Sequence, residues 1–157
     1  MEMKSLRQHV VNLLAGKGAH ADFDTAIKDL PAAARGKRPE GAEHSPWEIL
    51  EHLRIAQWDI LEFSVNPDHK SPAWPSGYWP KSQAPENAIE WNQSIEHFRR
   101  DLKRMSALVS SEDTDLFKKI PHGDGQTILR EALLVADHNA YHIGELVLLR
   151  RLLGVWP

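Results

Sequence analysis

The sequence predicts an all-α protein, a bundle of four principal helices joined by long connections. Two observations lead to this fold class. Apolar residues recur at helical spacing in four stretches, and no stretch shows the strict alternation that is typical of a half-buried strand. The chain has 157 residues, of which 41% are hydrophobic, so we expect a single domain over residues 1–157.

The first helical stretch spans residues 3–14, where leucine and valine side chains share one face. After Gly16 and Gly18 the same spacing resumes and continues to Leu30. We therefore expect a first helix that either continues through the glycines or breaks near them, and that ends at Pro31.

The second stretch carries the strongest helix start in the chain. Ser45 is a suitable N-cap, Pro46 fits the first turn, and Glu48 completes a capping box three residues after the cap. An apolar stripe then continues to Phe63, before Asn66 and the following proline end the helix.

The remaining chain contains one long connection and two further helices. Residues 66–85 hold five prolines and three aromatic side chains, which predicts an ordered loop that acts as a lid. Residues 86–109 have the pattern of a helix with one buried face. Residues 120–125 are typical of a turn, and Thr127 is placed to cap a final helix that ends at Gly154.

The composition excludes several functional classes. A formal net charge of −3 provides no field for binding phosphate backbones, so we expect no nucleic-acid partner. No run approaches the roughly 20 apolar residues of a membrane span, and the first residues lack a secretory pattern, so we expect a cytoplasmic protein with no membrane partner. The absence of cysteine excludes thiolate ligands and a cysteine nucleophile, so any thiol must come from a cosubstrate.

Three of the nine histidines lie on predicted buried faces. His52 is on the apolar stripe of the second helix, and His138 and His142 stack on one face of the last helix. Taken singly, each is compatible with a hydrogen-bonded core histidine, but an unsatisfied buried imidazole costs about 1 to 3 kcal/mol. A divalent metal bound by all three resolves this conflict and leaves a coordination position open, as in catalytic zinc sites.

Competing metal motifs are not present. A di-iron bundle needs Glu-x-x-His, which this chain lacks, and a zincin needs Glu at the position that Asn139 occupies. Glu131 and Glu145 lie on or beside the inward face of the last helix, and we expect either to orient a ligand histidine or to act as a catalytic base. Asp59 is a further candidate to accept a hydrogen bond near the site.

Aromatic residues and the other histidines complete the candidate set. Trp74 and Trp79 are expected to border a pocket under the lid, with Tyr141 close by and His122 at its rim. The remaining histidines are expected at the surface or in loops, namely His9, His20, His44, His69 and His97.

The segments SPWEILEHLRIAQ, HGDGQT and DHNAYHIGEL, at residues 45–57, 122–127 and 137–146, resemble the DinB-like family, also called DinB/YfiT-like metalloenzymes. The resemblance covers nearly the whole chain, and the family's metal ligands would correspond to His52, His138 and His142. It implies a four-helix bundle, a homodimer, and one divalent ion with zinc or nickel as the usual candidates. Relatives include metal-dependent hydrolases and transferases or isomerases that use low-molecular-weight thiols.

Three functional hypotheses follow. The first is a mononuclear metalloenzyme that acts on a small molecule, in which the ion activates water or an external thiol cosubstrate and Glu145 or Glu131 handles protons. The second is a non-catalytic metal-binding or ligand-binding protein of the stress response, whose metal contributes to folding. The third is a metal-free interaction bundle in which the histidines hydrogen-bond one another and nearby carboxylates.

Overall fold

The computed structural model describes residues 2–157, so Met1, which the predicted domain includes, lies outside the described residues. The elements, in chain order, are the α-helices α1 (Glu2–Leu14), α2 (Phe23–Ile27), α3 (Pro46–Val65), α4 (Ala88–Ser110) and α5 (Ile128–Leu152), with short 3-10 turns at Ala32–Ala34 and Ser76–Tyr78. Within residues 2–157 the one strand-like pairing is an isolated bridge between Lys119 and Thr127. The all-α prediction is therefore confirmed.

The start of α3 has the predicted capping box. The Ser45 hydroxyl accepts from the Glu48 backbone N–H, and the Glu48 carboxylate accepts from the Ser45 backbone N–H at 2.8 Å. Thr127 likewise caps α5 by accepting from the backbone N–H of Arg130. These local hydrogen bonds fix where the two site-bearing helices begin.

The first helical stretch divides into two elements. α1 ends at Leu14, and Gly16 adopts a φ of +67°, a left-handed conformation that terminates helices. Asp22 then caps α2 by accepting from the Thr25 backbone N–H at 2.8 Å. The helix therefore breaks at the glycines and resumes as a separate short element, instead of continuing to Pro31.

α3 is the central helix and packs mainly against α4 and α5. Hydrogen bonds join Glu51 to Ser94 and Gln57 to the Phe98 carbonyl, so α3 and α4 run parallel. α5 runs antiparallel to α3, because the Asn139 side chain donates to Gln57 while residues nearer the end of α5 pack against the start of α3. Two parallel helices begin at the same end of a bundle, so the chain must return to that end between them. Residues 66–87 form this long crossover between α3 and α4.

Most of this crossover is residues 66–85, which we call the proline-rich segment, and it returns along α3. Near its end the Ser45 hydroxyl donates to the Gln83 carbonyl at 2.6 Å, and the Trp47 indole N–H donates to Ser82. The segment thereby comes to lie beside the first half of α3. None of the helices in residues 2–157 combines the length and apolarity needed to cross a bilayer.

Candidate metal centre

His52 lies on α3 with 5% of its surface exposed. Its Nδ1 is 2.9 Å from the backbone carbonyl oxygen of Tyr78, in the proline-rich segment. Because a carbonyl oxygen only accepts, Nδ1 carries the proton and donates it. Nε2 consequently carries the lone pair, and it faces His138 Nε2 on α5 within hydrogen-bonding distance.

His138 and His142 on α5 meet this ring. One nitrogen from each of His52, His138 and His142 lies within 4.8 Å of the others, a spacing that can hold a metal ion. His52 Nε2 and His138 Nε2 are 3.1 Å apart. Two nitrogens that coordinate one tetrahedral zinc ion at its usual bond length are about 3.3 Å apart, so this pair already has a suitable spacing. The predicted meeting of the three imidazoles is confirmed.

Two orphaned polar atoms fit such an ion. His138 Nδ1 and Asn139 Oδ1 are buried, and neither has a hydrogen-bonding partner of acceptable geometry, although the two side chains lie beside each other. Coordination through Nε2 requires the His138 proton to be on Nδ1, next to this free acceptor. The donor set is therefore compatible with a bound divalent ion.

Glu145 orients the third ring. Its Oε2 is 2.9 Å from His142 Nδ1, one turn earlier on α5. A carboxylate accepts this proton, which leaves His142 Nε2 as the free nitrogen and makes the imidazole more basic. Of the two roles predicted for Glu145, the geometry shows the orienting contact directly. The second carboxylate oxygen lies 4.0 Å from His44 Nδ1.

Trp79 forms a wall of the site. Its ring stacks on His52 at a centroid distance of 4.0 Å and on His44 at 3.9 Å, so the indole is held between two imidazoles. His44 lies in the loop before α3, a loop position being one of the two expected for it, and this loop folds its ring against Trp79 and toward Glu145.

Burial keeps two of the imidazoles neutral. Desolvation, followed by repulsion from His142 and His52, lowers the pKa of His138 from 6.5 to about 4. Desolvation also lowers the pKa of His52, and electrostatic repulsion from His142 and His44 acts in the same direction. Neutral imidazole is the form that coordinates metals, so both rings are ready to bind at neutral pH.

A cavity of about 400 Å³ opens beside His142. Trp79 and Tyr141 line it, together with Glu145 and the exposed leucines of α5. A small molecule in this cavity would lie next to the third imidazole. The cavity therefore gives the histidine cluster access from outside.

The other predicted site residues lie elsewhere. Trp74 is 78% exposed and contacts Tyr78, and His122 Nε2 is 2.6 Å from the Phe63 carbonyl near the far end of α3, so neither lines this cavity. Glu131 is buried and paired with Arg130, two turns or about 10 Å before His138 along α5. A role for Glu131 as a base stays a prediction.

Sequence analysis did not identify three groups that contact the metal centre or the residues around it: His44, His69 and the backbone carbonyl of Tyr78. His69 lies in a loop, one of the positions expected for it, but its side chain is only 7% exposed because its ring is enclosed by Asp59 and Trp58. All three lie in irregular segments, where helical periodicity carries no signal. The density of aromatic residues in the proline-rich segment was the one indication of ordered contacts there.

Comparison with known proteins gives one finding. A family model described as the DinB superfamily matches residues 16–146, which is well over half of the chain. Searches of curated proteins and of solved structures gave no match. The match includes His52, His138 and His142, which the structure brings together. The chain therefore belongs to the DinB superfamily.

Proposed function

We propose that this protein binds one divalent metal ion, zinc or nickel, through His52, His138 and His142, and uses it to catalyse hydrolysis or the transfer of a low-molecular-weight thiol. The observation that carries the proposal is the convergence of three imidazole nitrogens in a partly buried site that adjoins a cavity. Imidazole ligands suit both metals. Three protein ligands leave a position for a reactant.

Three neutral ligands leave the charge of an ion uncompensated, so that it acts as a Lewis acid and lowers the pKa of a water molecule or an external thiol. The chain supplies the surroundings for this chemistry. Glu145 holds His142 in the ligating tautomer, and its partly exposed carboxylate lines the cavity, where it can accept a proton from a reactant. Trp79 covers one face of His52 and shields that ligand from water.

The cavity lining supports a neutral or cationic reactant. Glu40, Glu43 and Glu145 contribute carboxylates, and no Lys or Arg from residues 2–157 is among the lining side chains. Such a field repels anions and attracts cations. We expect a neutral thiol such as 2-mercaptoethanol to give a higher kcat/KM than the dianionic mercaptosuccinate, and the opposite order would contradict this part of the proposal.

Metal content tests the binding step. We expect the purified protein, loaded with Ni²⁺ or Zn²⁺ and dialysed, to retain about one equivalent by elemental analysis, and the His138→Ala variant to retain almost none. His97→Ala is the matched control, because His97 is an exposed histidine of α4. Equal, near-zero metal in wild type and His138→Ala would overturn the proposal.

A substrate screen tests the catalytic step. The loaded protein is assayed with esters, amides and thiol acceptors carrying good leaving groups, and activity should disappear on chelation and return with metal. Chelation that lowers the melting temperature without any activity in the screen would replace this proposal with the non-catalytic metal-binding function.

We also propose a homodimer, as the family resemblance implies. Tyr141, Leu148 and Leu152 are more than half exposed on one face of α5, and they also line the cavity, so a second copy packed on this apolar face would form part of the cavity wall. Light scattering after size-exclusion chromatography should give twice the chain mass of 17.9 kDa. A single-chain mass at micromolar concentration would contradict it.

A further inference from the structure

We propose that Asp59 is a positioning residue: it fastens the proline-rich segment to α3 so that the Tyr78 carbonyl keeps the His52 proton on Nδ1. The importance of that proton for metal binding rests on the proposed function. The coupling between Asp59, Tyr78 and His52 is a property of the metal-free protein and is tested separately.

Both carboxylate oxygens of Asp59 are engaged by the proline-rich segment. Oδ1 lies 2.7 Å from His69 Nε2, and Oδ2 accepts from the Tyr78 hydroxyl at 2.6 Å. Asp59 is 8% exposed, so these bonds form in a largely water-excluded position. A carboxylate in such a position needs donors, and the segment supplies them from two points nine residues apart.

Tyr78 joins Asp59 to His52. Its hydroxyl is bound to Asp59, and its backbone carbonyl accepts from His52 Nδ1 at 2.9 Å. Asp59 and His52 are seven residues apart on α3, and therefore on the same face two turns from each other. One residue of an irregular segment thus spans the distance between two side chains of a rigid helix.

The surrounding contacts limit other positions for this residue. Tyr78 ends the 3-10 turn Ser76–Tyr78, and the next residue, Trp79, stacks between His44 and His52. Burial and the neighbouring Asp59 raise the pKa of Tyr78 to about 12, so its hydroxyl stays a donor throughout the working range of pH. The Tyr78 backbone N–H also donates to the Pro75 carbonyl at 3.1 Å, but this bond lies within the proline-rich segment and does not attach it to α3. Without the Asp59 bond, the attachment to α3 next to Tyr78 is the stacking of Trp79 on His52.

Loss of this anchor has a defined consequence for His52. The carbonyl of Tyr78 is the acceptor that selects the Nδ1–H tautomer. When the carbonyl moves away, the ring redistributes its proton between the two nitrogens, and a protonated Nε2 cannot coordinate an ion. Loss of a hydrogen-bonding partner that orients a ligand histidine typically lowers metal affinity by about 10- to 100-fold.

The test uses two variants and one control. Tyr78→Phe removes only the hydroxyl, and Asp59→Asn removes the charge that both donors share. Asp101→Asn is the matched control, because Asp101 is also a buried, ion-paired aspartate but lies on α4. Nitrogen-15 chemical shifts report the His52 tautomer in the metal-free proteins at neutral pH, with assignment by His52→Gln. Titration with Ni²⁺ then gives the affinity.

We expect His52 to be Nδ1-protonated in wild type and in Asp101→Asn, and to become a tautomer mixture in Tyr78→Phe and Asp59→Asn. Nickel affinity should fall at least 10-fold in both variants and change less than 2-fold in the control. If Asp59→Asn does not fold, Tyr78→Phe alone decides. A wild-type tautomer in folded Tyr78→Phe would overturn this inference, whereas wild-type protein that binds no metal would overturn the proposed function and leave the tautomer result intact.

Discussion

Acidification of the metal-free protein should destabilise it through the histidines of the metal centre. The pKa of His138 falls to about 4 in the folded protein because of burial and its two imidazole neighbours, while an unfolded chain has the ordinary value of 6.5. The unfolded state therefore takes up a proton first as the pH drops. The stability that this ring contributes is complete above pH 6.5 and is lost progressively as the pH falls toward 4.

The size of the effect follows from this difference in pKa. Between pH 7 and pH 5 a single group with these two pKa values removes about 2 kcal/mol of unfolding free energy. His138 as a whole is only partly buried, so we reduce the expectation to roughly 1 to 2 kcal/mol. His52 adds in the same direction, because burial lowers its pKa as well. This loss is a substantial fraction of the total stability of a small domain.

Urea unfolding of metal-free protein from pH 7 to pH 4.5 measures this loss. His138→Gln replaces the titrating ring with a neutral polar side chain, so the difference between wild type and variant isolates its contribution. We expect the wild-type unfolding free energy to fall more steeply than that of His138→Gln over this range. Equal slopes for the two proteins would refute the claim that the folded core keeps His138 neutral.

Three further predictions concern single side chains. Glu145→Gln should weaken Ni²⁺ binding by about 10-fold or more, because an amide is a weaker acceptor for the His142 proton, whereas the exposed Glu96→Gln should bind like wild type; equal affinities would exclude the orienting role. Ser45→Ala removes the cap of α3 together with the hydrogen bond to the Gln83 carbonyl and should lower the melting temperature by roughly 3 to 6 °C, and an unchanged value would show that this hydroxyl contributes nothing measurable. Gln57→Leu leaves the buried Asn139 amide without its acceptor and removes the side-chain donor to the Phe98 carbonyl, so it should cost about 1 to 3 kcal/mol in denaturant unfolding, and a loss under about 0.5 kcal/mol would contradict the assigned contacts.

The part of the site that lies on helices was predictable because the spacing of residues along a helix determines the direction in which each side chain points. The cap at Ser45 fixes the start of α3, and the phase of the apolar stripe then places His52 inward. The i,i+4 spacing places His138 and His142 on one face of α5 in the same way. Since both faces must be buried in one bundle, their meeting follows from the pattern before any coordinates are known.

The irregular part of the site was not predictable for the same physical reason. The path of the proline-rich segment is set by contacts with α3, so no periodicity indicates that the Tyr78 carbonyl reaches His52 or that His69 reaches Asp59. The helical pattern predicts the direction in which a side chain points, but it does not predict which neighbouring residue that side chain contacts. Glu131 is buried as expected, yet its carboxylate pairs with Arg130 and not with a histidine of the site.

X-ray absorption spectroscopy of the nickel-loaded or zinc-loaded protein tests the central claim most directly, because it counts the imidazoles around the ion. We expect three histidine nitrogens at about 2.0 to 2.1 Å for zinc, together with lighter scatterers that fill the open position. The spectrum of His97→Ala should match that of wild type. An ion surrounded mainly by oxygen, or by a single imidazole, would contradict a site built from His52, His138 and His142.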